Sequence, residues 1–148
     1  MDEKHYPYEH LTSEVKYDFW SISSEKQVRK RVIFTASNYR KIYNLALVDV
    51  FDDDTVSDIT ETRNKDMRMV LVTVIRIVNE FLEEYPNKMV VFRGSDERRQ
   101  RLYRLIISRE LTAILKEFSI FGGINGLQTE PFKPDTPYEY FLIVRRNK

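Results

Sequence analysis

Between Met67 and Tyr85 the apolar residues Met67, Val70, Leu71, Val74, Ile75, Val78, Phe81, Leu82 and Tyr85 recur at steps of three and four. That spacing places them on one face of an α-helix. Thr62 or Asn64 can cap its start, and Pro86 stops it. Met69, Val72 and Ile77 fall outside the stripe and remain apolar. A helix this broadly apolar cannot lie on a surface alone. It needs a sheet beneath it and a second contacting surface beside it.

The sheet is supplied on both sides of the helix. Tyr17–Ile22 is aromatic-rich and reads as a strand, Ser23–Lys26 as a turn, and Val28, Lys30, Val32 and Phe34 as one face of a second strand paired back in a hairpin. Ile42–Phe51 is a third strand with Asp52–Asp54 as its turn, followed by weaker extended chain or loop over Thr55–Thr62. Beyond the helix, Lys88–Arg93 is short and apolar on both faces, the pattern of a central strand. A second helix is predicted from about Asp96 to Lys116. Phe118–Ile124 and Tyr140–Arg145 are the last strands, separated by a long loop over Asn125–Pro137 carrying Pro131, Pro134 and Pro137. Residues 1–14 read as an N-terminal arm and 15–148 as a single domain. The order β-β-β-α-β-α-β-β predicts an α+β fold: a mostly antiparallel sheet of five to six strands with two helices on one face.

Composition narrows the chemistry. Across 148 residues Lys and Arg number 24 against 23 Asp and Glu, a net charge of +1 that gives no global case for nucleic acid or membrane. Cysteine is absent, which excludes disulfides, thiolate catalysis and Cys-ligated zinc. The N-terminus has no signal-peptide pattern and no apolar run reaches the ~18 residues of a membrane span, so a cytoplasmic location is the expectation. The only histidines, His5 and His10, lie in the arm. No P-loop, G-x-G-x-x-G or G-x-S-x-G occurs. Asp52 fails as the start of a calcium loop, because Ser57 and Arg63 stand where glycine and glutamate are required. Neither cofactor nor metal is expected, and an enzyme is not the favoured class.

The segment Arg93-Gly94-Ser95-Asp96-Glu97-Arg98-Arg99 carries a strand straight into a helix. Such a helix start aims backbone N–H groups outward and suits an anion. Six arginines and two acids fall between Arg93 and Arg109. Helical phase, with Leu102, Leu105 and Ile106 taken as the buried face, draws Arg99 inward and sends Arg101 and Arg104 toward solvent. A buried Arg99 needs a partner: a ligand anion, or the acidic run Asp49, Asp52, Asp53, Asp54, Asp58 and Glu61.

Tyr43-Asn44-Leu45-Ala46, the helix ending at Tyr85-Pro86, the Gly94-Ser95-x-x-x-Arg99-x-Arg101-Leu102-Tyr103 motif and Phe121-Gly122 together make the chain resemble a family of small bacterial proteins of unknown function, found mainly in Bacteroidetes. The resemblance runs from about Tyr17 to Arg145. It implies a stand-alone α+β domain and matches Gly94, Ser95, Arg99, Arg101 and Tyr103 to the family motif, without an activity to transfer. Asp96 stands where the family pattern has threonine, and a carboxylate there competes for the N–H groups an anion would use.

The expectation is therefore a domain that binds a small anionic ligand or an acidic protein surface at the start of the second helix, through Gly94, Ser95, Arg99, Arg101 and Tyr103. Ser95 would cap the helix. Nucleic acid and membrane are not the expected partners. The alternative is a structural or interaction module, a homodimer or half of a two-protein bacterial system. A metal-dependent hydrolase using Asp49 and the acidic run is the weakest reading.

Overall fold

The computed structural model describes residues 5–10, 15–22, 27–53, 55–57, 66–126 and 128–146. Its strands are β1 (Tyr8–His10), β2 (Lys16–Ile22), β3 (Gln27–Ala36), β4 (Ile42–Val50), β5 (Val56–Ser57), β6 (Met89–Phe92), β7 (Phe118–Gly123), β8 (Thr129–Pro131) and β9 (Tyr140–Arg145). The helices are α1 (Met67–Glu84) and α2 (Glu97–Ile114). All described strands form one sheet in the order β1-β2-β3-β4-β6-β9-β7-β8, with β5 beside β4. Every pairing is antiparallel except β4–β6, the two strands that α1 connects.

The α+β class, the element order and the placement of both helices on one face agree with expectation; the strand count is higher. The additional strands are β1, β5 and β8, each of two or three residues. Segments that short carry no periodicity to detect. Residues 8–10 of the arm are therefore part of the sheet, with Tyr8 opposite Phe19. Thr62 and Asn64, the expected caps of α1, lie outside the described residues. The N-cap is Asp66, whose side chain makes no capping bond. It accepts instead from the Tyr6 hydroxyl and, at 2.7 Å, from Ser21 Oγ.

Side chains alternate across the sheet, so its two faces separate cleanly. Tyr17, Phe19, Val32, Phe34, Leu45, Val90, Phe92, Phe118, Ile120, Phe141 and Ile143 point to the helices and join them in one core cluster. Phe81 of α1 stacks on Phe34 at 4.0 Å between ring centroids, with Tyr43 edge-on at 5.4 Å. Val72, Thr73 and Ile77, off the main stripe of α1, are fully buried as well. Part of the surface they require is the arm: Tyr6 is in the core, and its backbone N–H donates to Thr73 Oγ1 at 2.9 Å.

The buried face of α2 differs from expectation. It is Tyr103, Ile106, Ile107, Glu110 and Ile114, while Leu105 is 38% exposed and Leu102 sits at the margin. The apolar pattern misled because a charged residue occupies the buried arc. Glu110 is tolerated there by Arg68 of α1, whose Nη2 lies 2.6 Å from Glu110 Oε1.

Candidate functional site

The turn from β6 into α2 is built from backbone proximity. A Cβ on Gly94 would stand 2.5 Å from the backbone nitrogen of Gln100, so only glycine fits without movement. Gly94 N–H donates to Gln100 Oε1 at 2.6 Å, and Gln100 Nε2 donates to Tyr138 O at 3.0 Å, which ties the turn to the loop before β9. The cap of α2 is Asp96 rather than Ser95: Asp96 Oδ1 accepts from Arg99 N–H at 2.8 Å. The chain's own carboxylate thus occupies the position where an external anion would sit.

The five residues matched to the motif separate into three environments. Gly94, Ser95 and Arg99 come together, with Arg99 Nη1 donating to Ser95 Oγ at 2.6 Å and lying 3.8 Å from Asp96 Oδ2. The Arg99 side chain is 17% exposed, so it is drawn inward as expected. Arg101 is exposed and Arg104 only half-exposed. Tyr103 is in the core, stacked on Phe92 at 4.8 Å. Burial pushes its hydroxyl up to about 12 against the pull of Arg99.

The acidic run divides too. Asp49 pairs with Lys30 across β3 and β4, Nζ to Oδ1 at 2.7 Å, on the helix-facing side. Asp53 accepts from the backbone N–H and hydroxyl of Thr55 in the turn after β4, which lowers its pKa. Asp54, Asp58 and Glu61 lie outside the described residues. Among the described residues no group of three acidic or histidine side chains is placed to hold a metal, and no helix is long and apolar enough to cross a membrane.

The sheet face turned away from the helices carries a feature that the segment-by-segment reading missed. Register places Val91 beside Leu142, Leu142 beside Phe121 and Phe121 beside Pro131, an apolar row across four adjacent strands. Met89 and Val144 form a second row next to it, and Ile33 opposes Ala46 farther along. Val91, Leu142, Phe121, Met89, Val144, Ile33 and Ala46 are only half-buried, and none belongs to the core cluster or packs against it. At the β2 end Trp20 and Ile22 are 49% and 52% exposed. The signal was present: Phe19 and Ser21 alternate with Trp20 and Ile22, so one apolar set had to face away from the core.

Aromatic rings cover the sheet at its glycines. The Tyr138 ring lies against Gly122 on the helix side and the Tyr140 ring against Gly123 on the other, so a Cβ at either position would meet ring carbons at 2.3 Å or less. Arg93 stands over the Tyr140 ring at 5.9 Å.

The model of a family of unknown function, DUF6934, matches residues 2–146. No curated protein and no solved structure matches the chain.

Proposed function

The chain belongs to this family of unknown function, DUF6934, and from its geometry we propose that the domain is a protein-interaction module presenting its helix-free sheet face to a partner. The supporting observation is the apolar row Val91–Leu142–Phe121–Pro131, which crosses four strands with neither described helix over it. Contiguous apolar surface of this kind is uncommon on a solitary domain and marks interaction sites. The edges offer less. The strands at both ends of the sheet, β1 and β8, have three residues each, and β8 ends in Pro131, so pairing by strand addition has little to extend.

An anionic ligand at the start of α2 has weaker support, because Asp96 already accepts from the first helical turn and Ser95 Oγ from Arg99. A bound phosphate would have to displace both.

The test is Leu142→Glu. A side chain that faces a partner rather than the core tolerates a charge. The variant is expected to keep its melting temperature within about 3 °C, while fluorescence of the apolar dye ANS bound to the folded protein falls. Loss of folding would show that this face is structural, and unchanged dye binding would show that it is not the exposed apolar surface.

A further inference from the structure

We propose that residues 5–10 form a releasable strap over the edge of β2, and that Asp66 is its latch: a carboxylate that holds the strap or caps α1, but not both. The two helices supply the comparison, because each has an aspartate at its N-cap position. Asp96 is extended, with φ −148° and ψ 173°, and its side chain accepts from Arg99 N–H at 2.8 Å. Asp66 has ψ 25° and makes no capping bond, although its carbonyl starts the helical ladder by accepting from Val70 N–H at 2.9 Å. Its carboxylate is turned to the strap and to β2, where Oδ2 accepts from the hydroxyl of Tyr6 and, at 2.7 Å, from that of Ser21.

Tyr6 anchors the strap. Its ring stacks on Phe19 at 6.0 Å, its N–H donates to Thr73 Oγ1 at 2.9 Å, and its hydroxyl oxygen accepts from Ile22 N–H at 3.1 Å. Beyond it, Pro7 has no N–H to give, and β1 adds a ladder of three residues against the seven of β2, with Tyr8 edge-on to Tyr17. Release of Tyr6 leaves Asp66 with a second use. Rotation about its ψ toward the value that Asp96 holds lays the carboxylate on the N–H of Met69, the counterpart of Arg99 in α2. A cap of that kind offsets part of the lost Tyr6 bond, so the strap opens at less cost than the fold as a whole. Opening makes β2 the edge of the sheet in place of the shorter β1. The device lies at the opposite end of the sheet from the Val91–Pro131 row and does not depend on it.

Native-state hydrogen exchange of the full chain reads both halves of the latch. The N–H groups of Tyr6 and Ile22 are bonded through the closed strap, whereas Val32 lies in β3, paired on both sides by β2 and β4. Tyr6 and Ile22 are expected to exchange together, about tenfold or more faster than Val32. Tyr6→Phe keeps the ring and loses the hydroxyl. It should speed exchange at position 6 by about another tenfold with Val32 unchanged, while Met69 N–H, newly capped by Asp66, slows about fivefold. Asp66→Ser can cap a helix but is too short to hold Tyr6, so it should open the strap and keep the cap. Asp66→Ala loses both roles and should melt about 3–5 °C below Asp66→Ser.

One common exchange rate for Tyr6, Ile22 and Val32 would mean that the strap opens only with the whole fold, and would overturn the proposal. An unchanged Met69 N–H in Tyr6→Phe, or equal melting of Asp66→Ser and Asp66→Ala, would show that Asp66 does not cap α1 and would overturn the latch. Should Tyr6→Phe fail to fold, Asp66→Ser carries the same test: faster exchange at Tyr6 with Val32 held supports the strap, and no change at Tyr6 overturns it.

Discussion

Lys30 Nζ and Asp49 Oδ1 lie 2.7 Å apart on the helix-facing side of the sheet, with each side chain only 7% exposed. The second carboxylate oxygen of Asp49 is buried without a hydrogen-bond partner. Removing one ion of such a pair strands the other. Lys30→Met should destabilise the domain by about 3–5 kcal/mol, and Lys30→Met with Asp49→Leu should recover most of that loss, because the desolvation of both charges disappears together. Urea denaturation of the single and double variants checks this. A double variant no better than Lys30→Met would mean that the pair contributes more than it costs to bury.

Gly94 gives a prediction about the turn into α2. Its missing Cβ leaves room for the backbone of Gln100, which is not the far end of a flexible side chain and cannot swing aside. Gly94→Ala should therefore cost about 1–3 kcal/mol through backbone displacement. It should also raise hydrogen exchange at Gly94 and Gln100 first. Stability equal to wild type would show that the β6–α2 turn has slack.

Buried tyrosines predict alkaline sensitivity. Burial raises the hydroxyl pKa of Tyr6, Tyr8 and Tyr17, and that of Tyr103 to about 12. Above pH 10 the unfolded chain releases these protons while the native state keeps them, so the native state binds more protons and stability falls as pH rises. The contribution of Tyr103 is complete below pH 10 and lost as pH approaches 12. Melting temperature should decline from about pH 10 upward, and less steeply in Tyr103→Phe. A flat profile to pH 11.5 would contradict the burial of these hydroxyls.

Much of this was legible because the relevant signals are local. The stripe from Met67 to Tyr85 and the alternation in Val28–Phe34 describe what each segment does with its own neighbours. Glu110 shows where that logic failed: a charged residue on the buried arc of α2 is explained only by Arg68, 42 positions earlier and on another helix. The candidate site at Gly94–Tyr103 was read from helix phase, which drew Arg99 inward correctly. It could not show that Asp96 would take the cap or that Tyr103 would stack on Phe92. The apolar row from Val91 to Pro131 takes one residue from each of four strands, so it exists only once strand order is known.

That strand order also imposes a sequence of events on the nascent chain. β9, the last described strand, sits between β6 and β7 and is the only described bridge joining them. While the ribosome is still translating Tyr140–Arg145, the earlier strands through β6 and the β7–β8 pair cannot merge into one sheet. The exposed edge of β6 must wait, open to chaperones or to misjoining, until β9 emerges and joins the two parts of the sheet from the middle.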